Sequence, residues 1–348
     1  MFGPWKKTKR QFPTGALWQR SADTLVRGGS PDLSPSLRDG LVIEKASWTP
    51  PPPEKGQLEL PIGREVHRDR NADRGGRSFY FFDFDDNVAF LSTSIVLFEK
   101  GTRREVKLSS GEYALVHRQV GKPGPWENYE LDFNDQTGSF RSFRDRDLSW
   151  VERILGRKQF FVQDLAAALG YPDVQWKGPS WSCFYHATLN HRPMSVITAR
   201  GHRPETIIEG IDLLVQRQYL PHAPNYLSIF PVTHPNVRRE LGCETGQTSV
   251  AALKKAAIRA SVERAVQVYG YNDFHRFGMS DDDPHNVELI VEEMKALKAR
   301  YPQMSFFVIE TQSGRFVKWE VYVDHTEATL CSANSDFQSF EQLTLLPP

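Results

Sequence analysis

The sequence predicts an α/β fold built on a doubly wound, mainly parallel sheet. From residue 194 onward, short apolar runs of strand length alternate with longer segments in which apolar residues recur at helical spacing. Such alternation is typical of parallel strands joined by helices that cover a sheet. Residues 79–82 are four successive aromatic side chains, which suits a strand buried on both faces. The predicted sheet is therefore Rossmann-like, with the aromatic strand in its interior.

The other elements follow from periodicity and from residues that start helices. Strands are predicted at residues 194–197, 226–232, 275–280, 305–310 and 315–323. Helices are predicted at residues 204–218, 249–268 and 287–301. A proline opens the first helix, Thr248 or Ser249 can cap the second, and apolar residues line one face of the third.

A long insertion interrupts this core. More than 100 residues separate the aromatic strand from the next predicted core strand, which indicates a cap. We assign residues 67–99 and 190–348 to the core and residues 100–189 to a β-rich cap insertion. Its alternating runs EYALVHR, ENYELDF and GSFRSFR predict hairpins, whereas residues 151–169 have helical spacing.

Residues 1–66 lack a clear period and are rich in Pro, Gly, Ser and charge, with prolines at positions 50–53. Because polyproline segments hold an extended form, we expect an irregular arm. Three tryptophans could anchor this arm to the domain: Trp5, Trp18 and Trp48.

Composition limits the classes of partner. Lys plus Arg and Asp plus Glu both total 43, so net charge gives no support for a nucleic-acid or membrane partner. No segment approaches the length of a membrane span, and no apolar run follows the N-terminal cations as in a secretory signal. Three well-separated cysteines (Cys183, Cys243 and Cys331) predict free thiols in a reducing compartment. We therefore expect a soluble cytoplasmic protein.

Carboxylates follow two of the predicted strands. Asp83, Asp85 and Asp86 come directly after the aromatic strand, and three aspartates at 281–283 follow the strand at 275–280. The carboxyl ends of parallel strands meet at one edge of a sheet, where ligands bind. Crowded carboxylates repel one another unless a cation intervenes, and Mg²⁺ prefers oxygen ligands of this kind. The pattern predicts a Mg²⁺ site, although a solvated turn after a core strand would also accommodate acids.

Two other metal sites are weaker hypotheses. The pattern D-x-D-x-N opens a calcium loop, but Val88 and Ser94 stand where that loop requires Gly and Glu. Cys183, His186 and His191 have spacing suited to metal ligands, but no second cysteine pair accompanies them.

Four segments in this order resemble the motifs of the haloacid dehalogenase-like (HAD) superfamily, a group dominated by Mg²⁺-dependent phosphatases. FDFDDN resembles its first motif, a strand followed by Asp-x-Asp, and SVITARG resembles its second, a strand ending in Thr or Ser. Lys254 or Lys255 fits the third motif, and FGMSDDD fits the fourth. The resemblance covers residues 78–310, and the insertion lies where the family places a cap domain.

The resemblance implies roles for these residues. Asp83 would be a nucleophile that forms an aspartyl-phosphate, and Asp85 would protonate the leaving group and then activate water. Thr198 would hydrogen-bond a phosphoryl oxygen, and Lys254 or Lys255 would pair with the nucleophile. Mg²⁺ would lie between Asp83, the backbone carbonyl of Asp85, and Asp281 or Asp282.

The expected substrate is a phosphorylated small molecule. Its candidate contacts are Asn87, which stands where the family usually has Thr or Val, Arg200, and Asn286, which could instead support the metal from outside. Arginines alternating with Phe140 and Phe143 suggest a polynucleotide-end phosphatase as a variant: Arg141, Arg144 and Arg146. An alternative of another class is a HAD-fold binding or scaffold protein with little turnover.

Overall fold

The computed structural model of the protein describes residues 66–243, 248–311 and 316–331. These residues form a mixed α/β fold with a mainly parallel seven-stranded sheet and a small antiparallel sheet. In chain order the strands are β1 (Ser78–Phe82), β2 (Ile95–Glu99), β3 (Glu105–Leu108), β4 (Tyr129–Glu130), β5 (Pro193–Thr198), β6 (Asn225–Pro231), β7 (Arg276–Asp281), β8 (Ser305–Glu310), β9 (Phe316–Val321) and β10 (Thr326–Cys331). The predicted α/β class with a mainly parallel sheet is confirmed.

Helices connect these strands. In chain order they are α1 (Ser110–Val116), α2 (Trp150–Ile154), α3 (Phe160–Ala168), α4 (Asp173–Trp176), α5 (Trp181–Leu189), α6 (Pro204–Gln216), α7 (Pro235–Glu240), α8 (Val250–Tyr269) and α9 (Pro284–Arg300). Within the described ranges, no helix has the length and apolar character needed to cross a membrane.

The large sheet has the strand order β10-β9-β8-β7-β1-β5-β6. The five strands from β8 to β6 in this order run parallel, and β9 and β10 extend one edge in antiparallel orientation. Phe82 lies opposite Ser280 of β7 and Val196 of β5. This register brings the residues that follow β1, β5 and β7 to the same edge.

The aromatic strand β1 supplies core residues to both faces of the sheet. Phe79 and Phe81 pack with the apolar sides of α8 and α9. Tyr80 and Phe82 point to the other face, where α3, α5 and α6 contribute apolar residues. Strand alternation explains this division, because successive side chains of a strand project to opposite faces.

The insertion differs from its prediction. EYALVHR does not form a strand: α1 covers most of it and begins with a capping box in which Ser109 and Glu112 bond each other's backbone amides. GSFRSFR contains a 3₁₀ turn at Arg141–Phe143 rather than a strand. The β structure is restricted to β2, β3 and the short β4, and β2 lies within the segment assigned to the core. The capping box outweighs the alternation, because it satisfies two backbone donors that open a helix.

The second half of the insertion is helical and belongs to the main packing. Phe161 of α3 and Phe184 of α5 contact Phe84, and all three rings are fully buried. Residues 160–189 therefore cover one face of the large sheet. Strand β10 was not predicted, and it pairs in antiparallel orientation with β9. Of the predicted arm, residues 1–65 lie outside the described residues.

Helix α6 packs closely on α3 at Gly210. A Cβ atom at this position would lie 2.4 Å from Cε1 of Phe161, whereas a Cβ at Gly111 of α1 would have no heavy atom within 4 Å. We expect Gly210→Ala to lower the free energy of unfolding by about 1–3 kcal/mol, because the added methyl group would overlap the fully buried ring of Phe161. The control Gly111→Ala should leave stability unchanged or raise it by up to about 1 kcal/mol. Urea denaturation measures both, and equal stability of the two variants would contradict the close α3–α6 contact.

Candidate functional site

Two aspartates meet at the carboxyl ends of adjacent strands. Asp83 directly follows β1, and its backbone amide donates to the carbonyl of Ser280 at 3.1 Å. Asp281 is the last residue of β7. Asp83 is only 7% exposed and Asp281 is fully buried. The parallel register of β1 and β7 thus places two carboxylates side by side in the protein interior.

Lys254 bridges these two carboxylates. It is the fifth residue of α8, whose N-terminus is capped by the side chain of Ser249. The Lys254 ammonium donates to Asp83 Oδ2 at 2.9 Å and to Asp281 Oδ2 at 2.8 Å, and the side chain is 3% exposed. Burial alone lowers the pKa of Lys254, but the charges of Asp281 and Asp83 outweigh burial and raise this pKa above its usual value. The ammonium therefore stays charged.

Lys255 points elsewhere. Its ammonium lies 3.2 Å from Glu292 Oε2 on the surface, and its side chain is 29% exposed. Of the two lysines that the sequence left open, the structure brings Lys254 alone to the carboxylates.

The other oxygens of the two aspartates are held by hydrogen bonds. The amide of Phe84 donates to Asp83 Oδ1 at 3.0 Å. Asp281 Oδ1 accepts from the amide of Asp283 at 3.1 Å and from the Asn286 side chain at 3.2 Å. Asn286 was expected either to contact the substrate or to support the metal site. Its hydrogen bond to Asp281 fits the second role, because Asp281 is a candidate metal ligand.

Asp282 completes a cluster of three carboxylates. Asp83, Asp281 and Asp282 each have one carboxylate oxygen in a group of three atoms that lie within 4.8 Å of one another. This spacing suits ligands of one metal ion. Among the residues that the structure describes, no basic side chain forms an ion pair with Asp282. Burial raises the pKa of Asp282 well above its usual value, and the charges of Asp281 and Asp83 add to this rise.

The charge balance of this cluster favours a cation. Burial raises the pKa of Asp83 to about 7 although Lys254 opposes the rise, and the charge of Asp281 adds to it. Three ionised carboxylates with one ammonium leave a formal charge of −2. A divalent cation would neutralise that charge, and carboxylate oxygens are the ligands that hard divalent cations take. The cluster could therefore bind a metal ion.

Asp85 lies apart from the three-carboxylate cluster and pairs with Arg200. Arg200 Nε donates to Asp85 Oδ1 at 3.1 Å and Oδ2 at 2.8 Å, and Arg200 Nη2 donates to Oδ1 at 2.6 Å. The Thr198 hydroxyl donates to Asp85 Oδ2 at 3.2 Å. Both carboxylate oxygens are thus engaged, which is the geometry of a strong, oriented ion pair.

Arg200 is fully buried, which does not suit the direct substrate contact considered for it. Its guanidinium lies 4.9 Å from the ring centre of Phe143 and 4.8 Å from that of Phe161. It also donates to the Thr93 hydroxyl at 2.6 Å, and Thr93 in turn donates to Asp164. Sequence reasoning missed Thr93 and Asp164, because partners so far apart in sequence leave no local pattern.

Asn87 is likewise occupied within the protein. Its amide nitrogen donates to the carbonyls of Asp83 and Ser280, both at 3.1 Å. Its amide oxygen accepts from the Thr311 hydroxyl at 2.9 Å, and the side chain is fully buried. Asn87 therefore ties together the ends of β1, β7 and β8 and offers no atom to a substrate. The position of Asn87 just after β1 predicted that it lies near the site. Its hydrogen bond with Thr311 could not be predicted from the sequence.

Comparison of the chain with family models, with curated proteins and with solved structures found no match in any of the three.

Removal of the buried ammonium tests the centre of the site. We expect Lys254→Met to lower the free energy of unfolding by about 3–5 kcal/mol in EDTA, because Asp83 and Asp281 lose their shared counter-ion. The matched variant Lys255→Met removes an exposed pair and should change stability by less than about 1 kcal/mol. Urea denaturation at neutral pH provides the comparison. Similar losses in the two variants would show that the ammonium of Lys254 does not stabilise the buried carboxylates.

Proposed function

We propose that the protein is a Mg²⁺-dependent phosphatase with a Rossmann-like core that hydrolyses a phosphate monoester through Asp83. One observation carries the proposal. Asp83, at the end of an interior parallel strand, and Asp281 both pair with the buried Lys254, and the carboxylates of both lie close enough to Asp282 to share one metal ion with it. The resemblance of four ordered motifs to the HAD superfamily supports the same function.

Mg²⁺ would be held by Asp83, Asp281 and Asp282, and when bound it would offset the repulsion between the nucleophilic carboxylate and the phosphate. Lys254 would serve the same purpose from the protein side, because its ammonium already lies on Asp83 Oδ2. The ammonium thus neutralises the nucleophile without occupying both of its oxygens.

The chemistry proceeds in two displacements. In the first, a carboxylate oxygen of Asp83 forms a bond to phosphorus while the ester P–O bond breaks, and the leaving oxygen takes a proton from Asp85. In the second, water attacks the aspartyl-phosphate, Asp85 takes a proton from that water, and phosphate leaves as the Asp83 carboxylate is restored. Positioned acid–base groups of this kind contribute about 10²–10⁴ in rate.

Arg200 determines how Asp85 can act. Because Arg200 engages both oxygens of Asp85, proton donation requires Asp85 to give up at least one of these bonds when substrate binds. Thr198, whose hydroxyl donates to Asp85, would turn to a phosphoryl oxygen in the same rearrangement.

A binding or scaffold protein of this fold with little turnover is the second candidate. The bidentate Arg200–Asp85 pair favours it, since a carboxylate fixed in this way is poorly placed to exchange protons with substrate. The nucleic-acid variant is less favoured, because the chain has no net positive charge and Arg141 is paired with Glu105.

Hydrolysis of an aryl phosphate in the presence of Mg²⁺ tests the phosphatase proposal. We expect Asp83→Asn to lower kcat by at least about 10³, since the nucleophile is lost, and Asp85→Asn to lower it by about 10²–10⁴. The control Asp173→Asn alters a surface aspartate paired with Lys177 and should retain activity. Undiminished activity of Asp83→Asn would remove Asp83 from the reaction. Binding of Mg²⁺ and phosphate without turnover on any ester would favour the scaffold instead.

The raised pKa of Asp83 predicts a pH-dependent affinity for Mg²⁺. The folded protein keeps a proton on Asp83 up to a pH of about 7, whereas the unfolded chain loses it near a pH of about 4, so the metal-free protein becomes less stable as pH rises between these values. Protons on Asp83 and on Asp282, whose pKa is also raised, compete with the metal, so the affinity for Mg²⁺ should rise with pH below about 7, by about tenfold per pH unit for each proton displaced. Titration calorimetry across this range measures the effect. The variant Asp83→Asn should bind more weakly with a flatter profile, and a wild-type affinity independent of pH would contradict the role of Asp83 as a ligand.

A further inference from the structure

Three segments meet at the carboxyl edge of β5 and β6, one residue beyond Arg200. The amide of Gly201 donates to the carbonyl of Phe143 at 2.8 Å, and the amide of Thr233 donates to the carbonyl of Arg200 at 3.2 Å. The Thr233 hydroxyl also donates to the carbonyl of Ala199 at 3.0 Å. These contacts join the insertion, the residues after β5 and the residues after β6 next to the arginine that holds Asp85.

Basic side chains from all three segments gather there, and we call them the basic corner: Arg144, His202, His234 and Arg238. Arg144 Nη1 donates to the carbonyl of Thr233 at 3.4 Å, which places its guanidinium beside His234. His234 stands at the N-cap position of α7 without a capping side-chain hydrogen bond, and the amide of Arg238 donates to the carbonyl of His234 at 2.9 Å. The charge of Arg238 acts on Arg144 and that of His234 acts on His202, so these side chains lie near one another.

The basic corner holds buried polar atoms without hydrogen-bond partners. His202 is fully buried, and neither of its ring nitrogens has a partner. Single nitrogen atoms of the half-buried His234 and Arg238 (Nδ1 and Nε) and Nη1 of the neighbouring Arg200 are also buried without a partner. Buried polar atoms are ordinarily hydrogen-bonded, so these unpartnered nitrogen atoms are available to a ligand.

The charges of the basic corner would favour an anion. Arg144 pairs through Nε with the exposed Asp135 at 2.7 Å. In the described parts of the chain, no acidic side chain pairs with Arg238. Burial is the main cause that lowers the pKa of His202, and together with the charges of Arg200 and Arg144 it brings this pKa to about 2. Burial likewise lowers the pKa of Arg144, with a contribution from the charge of Arg238. An anion between Arg144 and Arg238 would relieve their repulsion.

We propose that Arg144, His234 and Arg238 form a subsite for a second anionic group of the substrate, with buried His202 behind them. The substrate is then a small phosphate monoester that carries another phosphate or a carboxylate. This inference rests on the proposed phosphatase function for the placement of the first phosphate at Asp83. The subsite itself is built of residues outside the three-carboxylate cluster, so it can be tested without turnover.

Phosphate binding in EDTA tests the subsite directly. Without metal, the carboxylate cluster repels phosphate, so the binding of inorganic phosphate measured by calorimetry reports the basic corner. We expect Arg144→Gln and Arg238→Gln each to weaken binding by at least about tenfold, since each removes a charge-assisted hydrogen bond. Arg238→Lys keeps the charge and should retain most of the affinity, which separates loss of charge from loss of fold. The matched control Arg239→Gln alters the next, exposed arginine of α7, which contacts Asn236, and should bind as the wild type does.

Kinetics with Mg²⁺ provide the second test. Arg238→Gln should raise KM about tenfold for an ester with a second phosphate and leave kcat and KM for an aryl phosphate unchanged. Equal effects on both esters, or no phosphate binding by the wild type in EDTA, would overturn the subsite while leaving the phosphatase proposal intact. If no ester is hydrolysed but Arg238→Gln still abolishes phosphate binding in EDTA, the phosphatase proposal fails and the anion site stands. An oligonucleotide bound in preference to small anions would also overturn the substrate class.

Discussion

The ammonium of Lys254 between Asp83 and Asp281 is the interaction on which the site depends. Two carboxylates brought together in the interior by the register of β1 and β7 would be costly to ionise without it. The position of the ammonium is fixed by the capped start of α8, whose apolar side packs on the same face of the sheet. Strand register, helix capping and core packing therefore together position Asp83, Lys254 and Asp281. These three groups still carry net negative charge when both carboxylates are ionised, and a cation would neutralise it.

Asp85 faces a different part of the protein although it is only two residues from Asp83. Its partner Arg200 is held between Phe143 and Phe161 and bonded to Thr93. Phe143 and Phe161 belong to the insertion, so the insertion shapes the surroundings of the proposed acid–base residue. The insertion is therefore part of the site as well as a covering for the sheet, and a change in its packing would reach Asp85 through Arg200.

Much of the core could be predicted because local patterns decide it. Apolar runs and helical spacing located the parallel strands and the long helices, and strand ends placed Asp83 near Asp281. The choice between Lys254 and Lys255 was open, since adjacent residues of a helix differ by about 100° in direction and only packing tells which one points inward. Helix α1 was not predicted, because the alternating apolar residues of EYALVHR favour a strand while the Ser109–Glu112 capping box starts a helix there. The partners of Arg200 and Asn87 could not be found at all, since they depend on contacts between distant parts of the chain.

The carboxyl edge of the sheet is electrostatically divided. Negative charge is concentrated where β1 and β7 end, and positive charge gathers beyond β5 and β6, with the Arg200–Asp85 pair between them. The chain as a whole has no net charge, so its overall field does not attract an anionic ligand. Selection of an anion must then come from groups close enough to touch it, where desolvation strengthens each contact. The proposed doubly anionic ester would match both halves of this edge, because its first phosphate would require a cation at the carboxylates while its second anionic group would find its cations already in the protein.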